Sequence, residues 1–286
     1  RADTARLRIT GRAPPIDGSQ NRTGLSLESF PEVGTIEGSM GPFATALTIL
    51  MVAFVTTSIL IIPFVNLLYR LKFLRAKQIT TDAFGKLTPI FDRFHKSKAG
   101  VPVGGGLLVI GVVSILFALT IPLLVFWGRD ITSNYTNQLA EMNIIFFTLI
   151  SFGLLGLYDD IKKFFRFKPV GFFGLTLKFK LLLQILLATI ISILIYTALG
   201  INFVHVPFVG IIHLGPLFIP FATVTIVAFS NAVNVTDGLD GLASGSLMIS
   251  LFGLWFLSAS ILDVPLTVFL ALWLGSLISF LYFNVY

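Results

Sequence analysis

Long runs without a charged residue constrain this chain more than any other feature of its sequence. An α-helix needs about 20 apolar residues to cross the hydrocarbon core of a bilayer. Runs of this order recur along the chain, at 42–69, 99–128, 142–158, 181–236, 241–262 and 264–286. The run 181–236 is long enough for two spans and contains several glycines and prolines near its middle. The sequence therefore predicts an all-α polytopic integral membrane protein with about seven transmembrane helices.

Composition excludes the main alternatives to a membrane protein. Of the 286 residues, 55% are hydrophobic and 12% are charged, whereas about a quarter of the residues in ordinary globular chains are charged. The chain has no cysteine, which excludes a disulfide framework and a zinc–thiolate site. Its net charge of +6 is concentrated outside the apolar runs, so nucleic acid is not an expected partner.

Lysine and arginine are distributed unequally between the predicted loops. The loops 70–98 and 159–180 hold eight and six of them, whereas the loop 128–141 holds one. Because basic loops stay in the cytoplasm, the first span is expected to run from outside to inside, and later spans alternate. The N-terminus and Asp263 are then external, and the turn 231–240 is cytoplasmic.

Residues 1–40 do not share the membrane pattern. They are polar, mixed in charge and without apolar periodicity, so we expect a disordered or non-native tail ahead of a transmembrane domain at 41–286. Met40 is a candidate translation start, and we expect residues 1–39 to be dispensable.

Residues 203–213 carry a different pattern from the spans around them. Apolar residues alternate loosely on either side of Pro207 and Gly210. Alternation next to turn residues favours a short β-hairpin, which the topology makes external.

Three polar clusters lie at span ends that the topology places in the cytoplasm. The first begins with His95 and Lys98 and leads through three consecutive glycines into the second span. Such glycines let backbone amides approach a phosphate at a helix N-terminus, but they also allow close helix packing. Both interpretations remain open for Gly104, Gly105 and Gly106.

The second cluster is the pair Asp159 and Asp160 at the end of the third span. Adjacent carboxylates at a membrane boundary repel each other, and Mg²⁺ with substrate phosphates would relieve that cost. Neighbours on a helix point about 100° apart, so the two carboxylates are expected to have different roles. The alternative is an acidic pair solvated among Lys162 and Lys163.

The third cluster repeats a polar side chain every three residues at the mouth of a span, as Asn231, Asn234, Asp237 and Asp240. On a helical turn this spacing places them on one broad face. Amide and carboxylate oxygens suit a hard cation and hydrogen bonds to a nucleotide. We therefore expect the acidic pair and this cluster to converge on one cytoplasmic cleft.

The segment 231–243 reads Asn-Ala-Val-Asn-Val-Thr-Asp-Gly-Leu-Asp-Gly-Leu-Ala. It resembles the signature of the phospho-MurNAc-pentapeptide translocase (MraY) family, within the polyprenyl-phosphate N-acetylhexosamine-1-phosphate transferase superfamily. The likeness extends through 95–106, Asp159 and Asp160, 174–184 and 283–286. It thus covers nearly all of the chain beyond the N-terminal tail.

The resemblance implies a reaction, a cofactor and a set of site residues. Family members use Mg²⁺ to transfer phospho-MurNAc-pentapeptide from UDP-MurNAc-pentapeptide to undecaprenyl phosphate, giving lipid I and UMP in peptidoglycan synthesis. The acidic pair is implicated in catalysis, and Asn231 joins the substrate-binding candidates. Contacts to uridine and sugar phosphate fall at positions matching Lys98, Lys178, Asn234, Asp237, Asp240 and Asn284. A bacterial plasma membrane location with a cytoplasmic active site follows, and a homodimer is compatible with it.

The chain departs from the family pattern in three places. Val101-Pro102-Val103-Gly104-Gly105-Gly106 stands where the family usually has Thr-Pro-Thr-Met-Gly-Gly, so the two threonine hydroxyls have no counterpart here. The loop between Asp160 and Lys178 is longer than is usual in the family. Family chains continue beyond the position of Tyr286 into a Phe-Met-Gly-Asp segment, whose aspartate binds metal, and a triple-histidine loop. We therefore expect this chain to be inactive alone, and Gly275 and Ser276 on its last span to face lipid.

Two other functions stay open at the level of sequence. A related transferase would use UDP-GlcNAc or another UDP-sugar. The departure at 101–106 favours it, whereas His95 and the segment 231–243 favour the muramoyl branch. A transporter or channel would place ionisable groups within its spans, whereas here they cluster at span ends.

Overall fold

The computed structural model describes residues 41–73, 102, 104–165, 177–237 and 241–285. Within these residues there are seven long helices: α1 (Pro42–Arg70), α2 (Gly105–Phe126), α3 (Gln138–Phe165), α4 (Leu177–Ala198), α5 (Phe218–Thr236), α6 (Leu242–Ser260) and α7 (Val264–Val285). All seven are long and apolar enough to cross a membrane. The predicted all-α polytopic membrane fold is confirmed, while the tail predicted at 1–40 lies outside the described residues.

Successive spans alternate in direction because each helix crosses the membrane once, and this defines two ends of the bundle. The helices α1, α3, α5 and α7 finish at the end where α2, α4 and α6 begin. We call it the cluster end, because the acidic pair lies there. The opposite end carries the loop 127–137, the connection 199–217 and the turn 261–263.

The last helix, α7, occupies the centre of the described bundle. It packs against α1, α6, α2 and α3, and Ala271 and Leu272 near its middle are fully buried. Its contact with α1 is the most extensive among the described elements. A Cβ built on Gly275 would lie 2.2 Å from the carbonyl oxygen of Leu50, so glycine is what allows the two backbones to approach.

Hydroxyl groups link α1 and α7 along the same contact. Thr57 Oγ1 donates to Ser276 Oγ over 3.0 Å, and the hydroxyl oxygens of Ser58 and Ser279 are also 3.0 Å apart. Small and hydroxyl-bearing residues promote close packing of helices in membranes. The expectation that Gly275 and Ser276 face lipid is therefore wrong, because α1 covers this face of α7.

A short β-hairpin stands at the opposite end between α4 and α5. Its strands β1 (Phe203–Val206) and β2 (Gly210–His213) pair antiparallel. A single 3-10 turn (Gly215–Leu217) then leads into α5. The hairpin predicted at 203–213 is confirmed.

Backbone and side-chain hydrogen bonds join the loop 127–137 to the turn between α6 and α7. Thr132 Oγ1 donates to Leu262 O over 2.7 Å. The carbonyl oxygen of Thr132 accepts from Val264 N over 2.9 Å. These bonds fasten the α2–α3 connection to the α6–α7 connection at the opposite end.

Two carboxyl groups are buried beside these bonds, since Asp263 is 1% exposed and Glu141 is 4% exposed. Asp263 Oδ1 accepts from Leu266 N over 3.1 Å and so caps α7, and its Oδ2 lies 3.5 Å from Asn134 Nδ2. Glu141 Oε2 accepts from Ser133 Oγ over 2.6 Å. Each carboxyl group is thus hydrogen-bonded, as buried polar groups must be.

The charges of both carboxyl groups act on Tyr135, in the loop between α2 and α3. Burial raises the pKa of Tyr135 above its ordinary value, and the charges of Asp263 and Glu141 raise it further. Both causes disfavour the phenolate, so this side chain stays neutral at physiological pH.

We expect Asp263→Ala to lower the free energy of unfolding by about 1–3 kcal/mol. The change removes the cap of α7 and takes an acceptor from Asn134. Asp263→Asn keeps an oxygen for the amide of Leu266 and should recover much of the loss. Thermal unfolding in detergent, followed by circular dichroism, measures this order. Equal stability of D263A and the unchanged chain would contradict the capping role.

Candidate active site

Two polar residues of α4 face two polar residues of α5 near the cluster end. Lys180 and Gln184 are four residues apart on α4, and Asn231 and Asn234 are three apart on α5. Both spacings place side chains on one face of a helix. Because α4 and α5 are antiparallel neighbours, the pairs meet in order, Lys180 with Asn234 and Gln184 with Asn231.

The pair formed by Gln184 and Asn231 lies deeper in the protein. Asn231 Nδ2 donates to Gln184 Oε1 over 3.0 Å and to Val227 O over 2.8 Å. Gln184 is itself buried, and its Nε2 donates to Ser230 Oγ over 3.4 Å. The Nδ2 group of Asn231, a predicted substrate contact, is thus bonded to protein groups and fixes the register of α5 on α4.

Lys180 joins α3 to these two helices. Its Nζ donates to Asp159 Oδ2 over 3.1 Å and to Asn234 Oδ1 over 3.4 Å. Both members of the ion pair are partly buried, and charge-assisted hydrogen bonds are among the stronger ones in proteins. Three helices thus hold a carboxylate, an ammonium group and an amide together, which we call the Asp159–Lys180–Asn234 cluster.

Sequence reasoning selected Lys178 and missed Lys180. Residues two apart on a helix point about 200° apart, so the two lysines are not equivalent positions, and the structure places Lys180 beside Asp159 and Asn234. The signal that could have identified Lys180 is its spacing of four from Gln184, which matches the polar face of α5. Lys178 lies in the first turn of α4, and its side chain is outside the described part of the chain.

The remaining predicted residues are described only in part. Asp160 directly follows Asp159 on α3 and is half-buried. Asp237 is the exposed C-cap of α5. Asn284 lies in the last turn of α7, but its side chain is not among the described ones. Three predicted site residues lie outside the described ranges altogether: His95, Lys98 and Asp240. Convergence of these residues on one cleft stays a prediction.

The glycines at the start of α2 serve helix packing at one position. Gly104 is the N-cap of α2, with a φ of 96° that favours glycine. A Cβ on Gly105 would lie 2.5 Å from Cε2 of Phe280 on α7, whereas one on Gly106 would meet no atom within 4 Å. Close packing therefore explains Gly105, and the phosphate-loop interpretation stays a prediction for the other two glycines.

Oxygen and ammonium groups define what this site can bind. Carboxylate oxygens such as those of Asp159 and Asp160 are hard ligands, of the kind that hold Mg²⁺ together with phosphates and water. Among the described residues, no group of three or more His, Cys, Asp and Glu side chains is placed to hold a metal ion. The arrangement suits phosphate and hydroxyl groups presented at a membrane boundary.

Comparison with known proteins gives the class of this molecule. Residues 142–286, about half of the chain, match the model of glycosyl transferase family 4. The chain therefore belongs to glycosyl transferase family 4.

Similar curated proteins carry the name phospho-N-acetylmuramoyl-pentapeptide-transferase, which confirms the resemblance read from residues 231–243. The one from Aquifex aeolicus (strain VF5) is 32% identical over 255 residues, 83% of this chain and 64% of that protein. The one from Streptococcus pneumoniae serotype 2 (strain D39) is 36% identical over 192 residues, 66% of this chain and 53% of that protein. The one from Clostridium perfringens (strain SM101) is 30% identical over 238 residues, 83% of this chain and 65% of that protein. The chain thus spans less than two thirds of the length of these relatives.

Proposed function

We propose that the protein transfers a phosphosugar from a UDP-sugar to a polyprenyl phosphate, and that its substrates are UDP-MurNAc-pentapeptide and undecaprenyl phosphate. The products are lipid I and UMP, and the reaction is a step of peptidoglycan synthesis. The observation that carries the proposal is the Asp159–Lys180–Asn234 cluster at one membrane end. It occurs in a chain related to proteins that are named for this transfer.

Phosphoryl transfer demands positioning and charge neutralisation more than covalent chemistry. In the proposed mechanism Asp159 orients or deprotonates the attacking lipid phosphate. Lys180 fixes the direction of that carboxylate, because its ammonium is held between Asp159 and Asn234. A lipid-bound phosphate reaches such a group only at the membrane surface, which is where the cluster lies.

The other site residues are assigned by resemblance to the family. Lys98 and Lys178 bind anionic groups of the nucleotide. Exposed Asn234 and Asp237, together with Asp240 and Asn284, recognise the sugar phosphate and uridine.

Mg²⁺ fits the chemistry of the donors that this site presents. Asp159 and Asp160 offer carboxylate oxygens, and the diphosphate of the substrate offers more. Mg²⁺ commonly binds through one or two carboxylates, substrate phosphates and water. When bound, it supplies positive charge to the diphosphate, while the chain's own residues position the attacking and leaving groups.

We also propose that the cluster end faces the cytoplasm of a bacterial cell and that the N-terminus is outside. The support is the distribution of basic residues, with eight at 70–98 and six at 159–180, the segments that include the last residues of α1 and α3 and the chain beyond them. The positive-inside rule then places both loops in the cytoplasm, where a nucleotide sugar is available.

The direct test is UMP release in detergent with Mg²⁺ and undecaprenyl phosphate. The protein for this assay is the extended chain, meaning residues 1–286 continued through the Phe-Met-Gly-Asp and triple-histidine segments of the family. UDP-MurNAc-pentapeptide should be consumed and UDP-GlcNAc should not. Consumption of UDP-GlcNAc and not of UDP-MurNAc-pentapeptide would mean that the protein is the related transferase that uses UDP-GlcNAc. Release of no UMP from either substrate would refute the proposal.

A further inference from the structure

The β-hairpin between α4 and α5 has an apolar tip that no described residue covers. Phe208 is fully exposed, Val209 is 71% exposed and Ile211 is 59% exposed. No charged residue occurs anywhere from 181 to 236. A hairpin that stood in water between two spans would be expected to carry polar or charged side chains at its tip, and this one does not.

The backbone at the tip is strained at one position. Phe208 has a φ of 67°, a left-handed conformation that is a genuine outlier for a bulky side chain. Asparagine or glycine would adopt it at lower cost. A bulky apolar residue therefore occupies a turn position that a small residue would occupy at lower cost.

The tip is continuous with surfaces that already face lipid. The hairpin follows α4 (Leu177–Ala198) and precedes α5 (Phe218–Thr236) with only short connections on either side. Leu217, the N-cap of α5, and Phe221, in its first turn, are exposed apolar residues as well. The apolar surface of the two spans therefore runs on towards the hairpin, and no Asp, Glu, Lys or Arg side chain interrupts it.

Backbone chemistry limits how deep the hairpin can lie. A two-stranded sheet has unpaired amide and carbonyl groups along both outer edges, which the hydrocarbon core of a bilayer does not tolerate. His205 and His213 are exposed, and their ring nitrogens need hydrogen-bond partners. They therefore also keep the hairpin out of the hydrocarbon core. The depth that satisfies both the apolar tip and these polar groups is the boundary between headgroups and acyl chains.

We propose that the hairpin is a membrane anchor whose tip, residues 207–211, inserts into the headgroup–acyl boundary of the leaflet opposite the cluster end. Phe208 is its main anchoring side chain. The anchor fixes the adjoining ends of α4 and α5, the two helices whose other ends carry Lys180 and Asn234. The proposal is independent of the reaction that the cluster catalyses.

The lack of cysteine in the chain makes site-specific labelling direct. Phe208→Cys and Ile211→Cys, each labelled with the fluorophore NBD, would be placed in nanodiscs of phosphatidylcholine and phosphatidylglycerol. Nitroxide lipids labelled near the headgroup should quench both probes more strongly than lipids labelled deep in the acyl chain. The quenching constant for aqueous iodide should be at least about threefold smaller for these probes than for a probe at Asp130→Cys. Asp130 is an exposed position at the same end of the bundle.

A second variant separates anchoring by Phe208 from mere proximity to lipid. With the probe kept at Ile211→Cys, the added change Phe208→Ser should raise iodide quenching and lower quenching by shallow nitroxide lipids. Probes at both positions that are quenched by iodide as strongly as the one at 130 would overturn the proposal. Probes shielded from iodide and from nitroxide lipids alike would overturn it too, because a protein surface or a second copy would then cover the tip.

Discussion

In the extended chain, Asp159→Asn is expected to lower the rate of UMP release by about 10²–10⁴-fold. The change nearly preserves the volume of the side chain but removes the charge that Lys180 contacts at 3.1 Å. It also removes the group proposed to orient or deprotonate the lipid phosphate. Initial rates over a range of lipid phosphate concentrations would show a loss in kcat rather than a rise in KM alone.

Asp130→Asn is a matched control for this prediction. Asp130 is an exposed carboxylate in the loop at the opposite end, so its neutralisation should leave the rate unchanged. D130N should unfold near the temperature of the unchanged protein, because Asp130 is exposed. D159N should unfold only slightly lower, because the asparagine oxygen can still accept a hydrogen bond from Lys180. A near-normal rate for D159N would refute the catalytic assignment.

Lys180→Met extends the test to the residue that sequence reasoning missed. If Asp159 and Lys180 act as a unit, the double variant should be little slower than the slower single variant. Losses that simply multiply would instead mean that the two side chains act independently.

Spans and hairpin could be predicted because their signals are local. Charge-free runs mark the helices, and alternation around Pro207 and Gly210 marks the hairpin. The helix contacts could not be predicted, because they join residues far apart in the chain. Thr57 and Ser276, for example, are 219 residues apart in sequence. The sequence around a glycine within a span, such as Gly275, is equally compatible with a lipid-facing and with a packed position until the neighbouring helix is known.

Part of the candidate site could be predicted from the sequence in the same way. Asp159 and Asn234 follow from their residue type and spacing at span ends. The choice of Lys180 rather than Lys178 depends on how α4 is rotated relative to α3 and α5. The sequence, which has both lysines in one helical turn, does not reveal that rotation. The sequence could not decide between phosphate binding and helix packing for Gly105 for a similar reason. The residue that packs on it, Phe280, belongs to a distant part of the chain.

Gly275→Ala is expected to cost about 3 kcal/mol of stability, at the upper end of the range for overpacked cores. The added carbon would lie 2.2 Å from the carbonyl oxygen of Leu50 and 3.1 Å from Cβ of Ala53. A backbone oxygen cannot turn aside as a flexible side chain can, so α1 and α7 must separate along their contact. The hydrogen bond from Thr57 to Ser276, 3.0 Å in the unchanged chain, would lengthen with it.

Gly253→Ala on α6 is the matched control, because a Cβ there would meet no atom within 4 Å. Alanine has the higher helix propensity, so this change should be neutral or slightly stabilising. Thermal unfolding of the two variants in the same detergent measures the difference. Equal unfolding temperatures would mean that α7 can move away from α1 without loss, and close packing of the two helices would then contribute little to the stability of the bundle.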